Sequence, residues 1–253
     1  MSLRVALLVA LLPCAGATAG DDNPFLPVAG SEFQSVLPGG KQGPVPVHAF
    51  LLQRHPVTNA EFLAFLETHP QWQRGSAPRV LVDADYLGHW AGPLDPGSRA
   101  EPTQPVTRVS WFAAEAYCEA QQARLPSWYE WELAAAASGN KRDARADASW
   151  RQQILDWYAH PAGERLASVE QGTANVYSIH DLHGLVWEWV QDFDALTPAD
   201  ADVGRLCGGG AQNLQQKEHY AVLMRLALLG SLHAADTGRS VGFRCARDAA
   251  GAP

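Results

Sequence analysis

The run His180-Asp181-Leu182-His183-Gly184-Leu185-Val186-Trp187-Glu188-Trp189 carries two carboxylates, a glycine and two indoles in one short segment. Indoles bring large apolar surfaces that favour burial. A carboxylate caught among them needs a partner, because an unpaired buried charge is costly. Two readings of Asp181 and Glu188 are open. They share a hard cation, or they cap backbone and pair with arginines. His180 and His183 could sit on one helical face. Gly184 points instead to a turn, and two histidines without a third ligand are a weak metal signal. Packing or hydrogen bonding is the preferred reading for both.

The bulk numbers set limits around this segment. The chain has 253 residues, 47% of them hydrophobic and nine of them Trp, enough for a sizeable core. Gly 22 and Pro 17 indicate a loop-rich fold rather than a helical bundle. Lys+Arg 19 against Asp+Glu 27 gives a net charge of −8, which argues against nucleic acid as a partner.

Residues 1–19 read as a secretory signal peptide, with the mature domain spanning 20–253. Arg4 supplies a short positive start, Val5 to Leu12 is apolar, and Ala17-Thr18-Ala19 has the small-x-small form of a cleavage site. Acylation at Cys14 is the rival reading, but Pro13 stands where a small residue is expected. No other run approaches the roughly 18 apolar residues of a membrane span. A soluble, periplasmic or secreted protein is therefore expected. Of the 4 cysteines, Cys118, Cys207 and Cys245 remain after cleavage. An oxidising compartment allows one disulfide and leaves one thiol. Zinc is the weaker alternative, since no Cys-x-x-Cys pair occurs.

Local signals place the elements. Residues 20–50 suggest short strands and turns. Thr58-Asn59-Ala60-Glu61 is a capping box opening a helix over about 59–68. Ser110 caps a second helix, about 111–122, and Ser127 with Glu130 boxes a third that runs to about Ala137. A short fourth is expected over Ser149 to Ala159, with loop over 70–105. Beyond 170 the pattern predicts strands and tight turns, Gly208-Gly209-Gly210 being the clearest turn. Trp128 and Trp131 read as core. There is no internal repeat and no linker dividing two domains.

Five segments in order carry a family resemblance. They are Pro56-Val57-Thr58-Asn59-Ala60-Glu61-Phe62; Pro105 to Trp111 continuing to Ala116-Tyr117-Cys118; Arg124 to Glu132; the opening stretch; and Val241-Gly242-Phe243-Arg244-Cys245-Ala246. Together they resemble the formylglycine-generating enzymes, or sulfatase-modifying factors. The resemblance implies an α+β domain with little regular structure and a C-type-lectin-like core. It implies a disulfide between Cys118 and Cys245. It also implies a structural Ca²⁺ held by the side chains of Asp181 and Glu188 and the main-chain carbonyls of Gly184 and Val186. Oxygen donors at an irregular turn suit that ion.

The family's own chemistry is missing. Formylglycine formation uses two cysteines shortly after the glycine turn, whose thiolates bind copper, and soft thiolates suit Cu(I). Here Ala211 to Tyr220 holds none, and the next cysteine is Cys245. Thiolate–copper formylglycine formation is therefore not expected, and no residue is assigned a catalytic role. Other branches of the superfamily use the fold without that pair, including iron-dependent sulfoxide synthases of the ergothioneine pathway and a pyoverdine-maturation protein. The chain is most similar to small exported members found alongside copper nitrite reductases. The leading expectation is an accessory factor that matures or assembles an exported client protein or peptide, with oxidation as one form of that maturation. Iron or copper as a redox metal is left open. The alternative is a non-catalytic, lectin-like module that binds a peptide or other ligand. Gln212, Asn213, His219, Tyr220 and Arg225 supply polar groups where the family meets its peptide. Cys207 reads as a buried thiol.

Overall fold

The computed structural model describes residues 23–37, 43–159, 165–196 and 220–249. Its first strands are β1 (Phe25–Val28), β2 (Ser31–Phe33), β3 (Val45–Val47) and β4 (Phe50–Gln53). Three helices follow at their predicted places. α1 is Asn59–Thr68, α2 is Trp111–Ala120 and α3 is Trp128–Ala135. Each start has the chemistry expected of it. Thr58 and Ser127 close reciprocal capping boxes with Glu61 and Glu130, and the Ser110 hydroxyl accepts from Ala113 N. α3 stops at Ala135, two residues short of the expected end. α4 is Ala148–Ala159. Between α1 and α2 the chain has only two 3₁₀ turns, Pro70–Trp72 and Gly97–Arg99, as a loop-rich segment should.

After residue 170 the prediction holds in part. β5 (Trp187–Glu188), β6 (Val241–Gly242) and β7 (Ala246–Asp248) are short strands. The segment Tyr220–Leu229, expected among strands and turns, is instead a helix, α5. Its apolar residues explain the difference. Leu226 and Leu229 are buried and Val222 packs beside the core, a spacing of four then three that suits a helical face.

β4 is the central strand of a three-stranded antiparallel sheet ordered β1-β4-β7. Phe50 pairs with both Val28 and Asp248. β2 and β3 form a separate antiparallel pair, and β5 lies parallel to β6. β6 also lies close against the segment before α2: a Cβ on Gly242 would meet Val106 O at 2.6 Å, so only glycine allows the approach. The core joins these parts through aromatic rings. Phe62 of α1 lies 5.8 Å from Tyr117 of α2 and 6.1 Å from Phe243, and Tyr117 meets Phe243 edge-on at 5.3 Å. Edge and offset contacts at these spacings favour a ring quadrupole's geometry. Trp128 and Trp131 are both in the core, as expected.

Cys118 of α2 is disulfide-bonded to Cys245, just before β7, across a sequence separation of 127. Both sulfurs are in the core. The bond restricts the unfolded chain, and a loop of that size is worth about 5 kcal/mol in the chain-entropy account. Replacing both cysteines by alanine should lower the unfolding free energy by about that amount. A urea titration would show the loss as a lower midpoint.

Candidate functional site

Glu188 sits on β5 with its carboxylate fully enclosed. Arg244, two residues past β6, reaches it from the other side of the parallel contact. Arg244 Nε donates to Glu188 Oε2 at 2.9 Å and Nη2 donates to Oε1 at 2.8 Å. The remaining N–H groups of Arg244 donate to main-chain oxygens: Gln53 at 3.1 Å, Arg54 at 3.4 Å and His180 at 2.9 Å. A guanidinium has five N–H donors, and here all five have acceptors. Trp131 Nε1 adds a third bond to the carboxylate, at 2.9 Å to Oε2. The paired-arginine reading of Glu188 is thus the arrangement observed.

Arg225 of α5 is turned inward rather than toward a surface. Its guanidinium lies 3.6 Å over the Trp131 ring, and Nη2 donates to the main-chain oxygen of Glu188. It is only 1% exposed. Gln212, Asn213, His219 and Cys207 lie outside the described residues, and Tyr220 is described only as the first residue of α5.

Asp181 takes a different direction from Glu188. Its backbone is left-handed, with φ 59, and Oδ2 accepts from Glu170 N at 2.6 Å. Asp181 and Gly184 help to line an open cleft of about 440 Å³ beneath α4, whereas Glu188 and Val186 are absent from its walls. Three N–H donors already occupy the Glu188 carboxylate, which has about four lone-pair sites, and a guanidinium lies against it. As arranged, the four residues do not fit one shared Ca²⁺.

Each histidine of the segment holds a carbonyl. His180 Nδ1 lies 3.0 Å from Gly172 O, and His183 Nε2 lies 2.8 Å from Ala135 O. His183 also meets the rings of Trp131 and Trp150 edge-on. Burial pushes its pKa down to about 4, with the nearby Arg225 and Arg244 adding to the effect. Another buried acid, Glu132, is held by Ser35 Oγ, Val36 N and Trp128 Nε1. Burial raises its pKa.

The cleft beneath α4 escaped the sequence reading. Trp150, Gln153, Ile154 and Trp157 line it from α4 at one-face spacing, and that spacing was the available signal.

A mixed fold with little regular structure, closed around a buried arginine–glutamate pair, defines the class. Residues 26–249 match the Sulfatase-modifying factor enzyme 1-like domain, and the chain belongs to that family. It is 28% identical to the formylglycine-generating enzyme of Streptomyces coelicolor, over 92% of this chain and 95% of the relative. It is 27% identical to the "Inactive C-alpha-formylglycine-generating enzyme 2" of Mus musculus, over 81% of this chain and 80% of that one. The serine/threonine-protein kinase Pkn1 of Chlamydia trachomatis is 27% identical over 87% of this chain, which spans only 38% of that longer protein. Among solved structures, "Crystal Structure of CarF" superposes with a TM-score of 0.53 at 16% identity, covering 89% of this chain and 98% of that one. That likeness bears on the fold alone.

Two predictions follow the buried groups. Arg244→Leu should cost about 3–5 kcal/mol, because it strands a buried carboxylate. Glu188→Leu with Arg244→Leu should cost clearly less than the sum of the two single changes. A double-mutant cycle in urea reads that coupling. For His183, a folded pKa near 4 against 6.5 means that the unfolded chain binds the proton first. Its contribution is present above about pH 6.5 and is lost as pH falls toward about 4. Across that window the wild type should lose about 1.4 kcal/mol per pH unit relative to His183→Gln. The comparison with the variant matters, because raised carboxyls such as Glu132 bias the stability in the opposite direction.

Proposed function

We propose that this protein is an exported accessory factor that helps to mature or assemble another exported protein, without thiolate–copper formylglycine chemistry. One observation carries the negative half of the reading: no cysteine lies between Gly208 and Arg244, where the family keeps its reactive pair. Cys118 and Cys245 cannot substitute, since they are bonded to each other in the core. Cys207 is then the one thiol left after residue 19, and a single thiolate does not make the two-sulfur site that holds Cu(I). The positive half rests on family membership and on relatives that include a formylglycine-generating enzyme and one named as inactive. An apolar start ending in Ala17-Thr18-Ala19 supports export.

A second reading is favoured by the cleft beneath α4. A module that binds a ligand without transforming it needs a concave site and no reactive group. Stoichiometric iron or copper in purified protein would favour an oxidative factor, while metal-free protein that still binds a client would favour the module.

The test is direct. Purified protein, loaded with copper and supplied with oxygen, is incubated with a sulfatase-derived peptide containing cysteine. Mass spectrometry should find the cysteine unchanged. Appearance of the aldehyde would refute the reading.

A further inference from the structure

The cleft beneath α4 has a definite chemistry. Trp150 and Trp157 enter it from the helix, both half-buried. Trp157 lies over Gly184, where an added Cβ would stand 3.6 Å from its ring, and packs against Trp187 with centroids 5.5 Å apart. Thr173, Asn175 and Asp181 come from the facing loop. Among the described residues, Asp181 is the only carboxylate in the lining, and no Lys or Arg lines it. One Asp181 oxygen is held by Glu170 N, while the other has no partner among the described residues. The full chain carries a net charge of −8, so the surrounding field adds to the attraction for a cation.

We propose that this cleft binds an alkylammonium group, with the indoles of Trp150 and Trp157 as its walls and the Asp181 carboxylate as its counter-charge. Indole faces attract organic cations through the ring quadrupole, and a desolvated site strengthens that attraction. The carboxylate adds charge-assisted bonding where the ammonium carries N–H groups. A volume of about 440 Å³ is ample for such a headgroup with part of its chain. An anion would meet a carboxylate and, among the described lining residues, no balancing cation. An uncharged apolar ligand would leave that carboxylate desolvated.

The group could arrive as a free amine or as a lysine side chain on a peptide. Calorimetry on the full mature protein distinguishes them, using choline as one probe and a lysine-containing tripeptide as the other. The expected result is saturable binding of at least one probe, weakened by added salt. The tighter of the two identifies the source. The uncharged carbon isostere of choline should bind about tenfold or more weakly than choline if choline binds. Asp181→Asn and Trp157→Leu should each weaken the bound probe by about tenfold or more. Asparagine tolerates the left-handed backbone at 181 and keeps an acceptor for Glu170 N, so that variant should fold. A circular dichroism spectrum and melting curve unchanged from the parent check this. The proposal falls if neither probe saturates at tens of millimolar. It also falls if both substitutions leave binding intact, or if Ca²⁺ binds through Asp181 while both ammonium probes fail.

Discussion

The pairing of Arg244 with Glu188 is the contact on which the rest of the structure depends. Two charges taken from water are stable only when every exposed lone pair and proton finds a partner. Here the partners are spread across the fold. The carboxylate belongs to β5, the guanidinium follows β6, and the carbonyls of Gln53, Arg54 and His180 close the ring of acceptors. Trp131 brings α3 to the same point, and Arg225 brings α5. Strands of two residues cannot hold themselves together. In this molecule a polar centre fixes their position, and the aromatic core packs around it. His180 N also donates to Arg54 O at 2.7 Å, so the opening stretch is tied to the end of β4 by backbone as well as by side chain.

The same arrangement separates two residues that look alike in sequence. Asp181 and Glu188 flank one glycine turn. Glu188 is spent on architecture, while Asp181 faces open space under α4. The left-handed backbone at Asp181 and the positive φ of Gly184 swing the chain between these directions. A short loop thereby serves the core on one side and a cleft on the other.

Legibility followed the range of the interactions. α1, α2 and α3 were readable because their caps are local: Thr58, Ser110 and Ser127 bond to backbone three residues away. The tryptophans of the core were readable from size alone. α5 was not, because Arg225 interrupts its apolar face and looked like a surface residue. Its cation is buried only because Trp131, far away in sequence, supplies a ring to cover it. An arginine was a foreseeable partner for Glu188, but which arginine was not, since Arg244 lies 56 residues away and arrives through a parallel contact. The cleft under α4 needed two segments to be seen together. The absent cysteine pair, by contrast, was legible outright, because it is a statement about composition.

The central strand β4 has a consequence for the timing of folding. Its two neighbours come from opposite regions of the sequence, β1 before it and β7 almost 200 residues later. Until residues 244–248 have been made, β4 has one open edge, Cys118 lacks Cys245 and Glu188 lacks Arg244. Non-local closure of this kind is slow. A nascent chain shorter than that stays unlocked, with its acidic centre still accessible to water. Locking of the sheet, the disulfide and the ion pair therefore waits on one short stretch, residues 244–248.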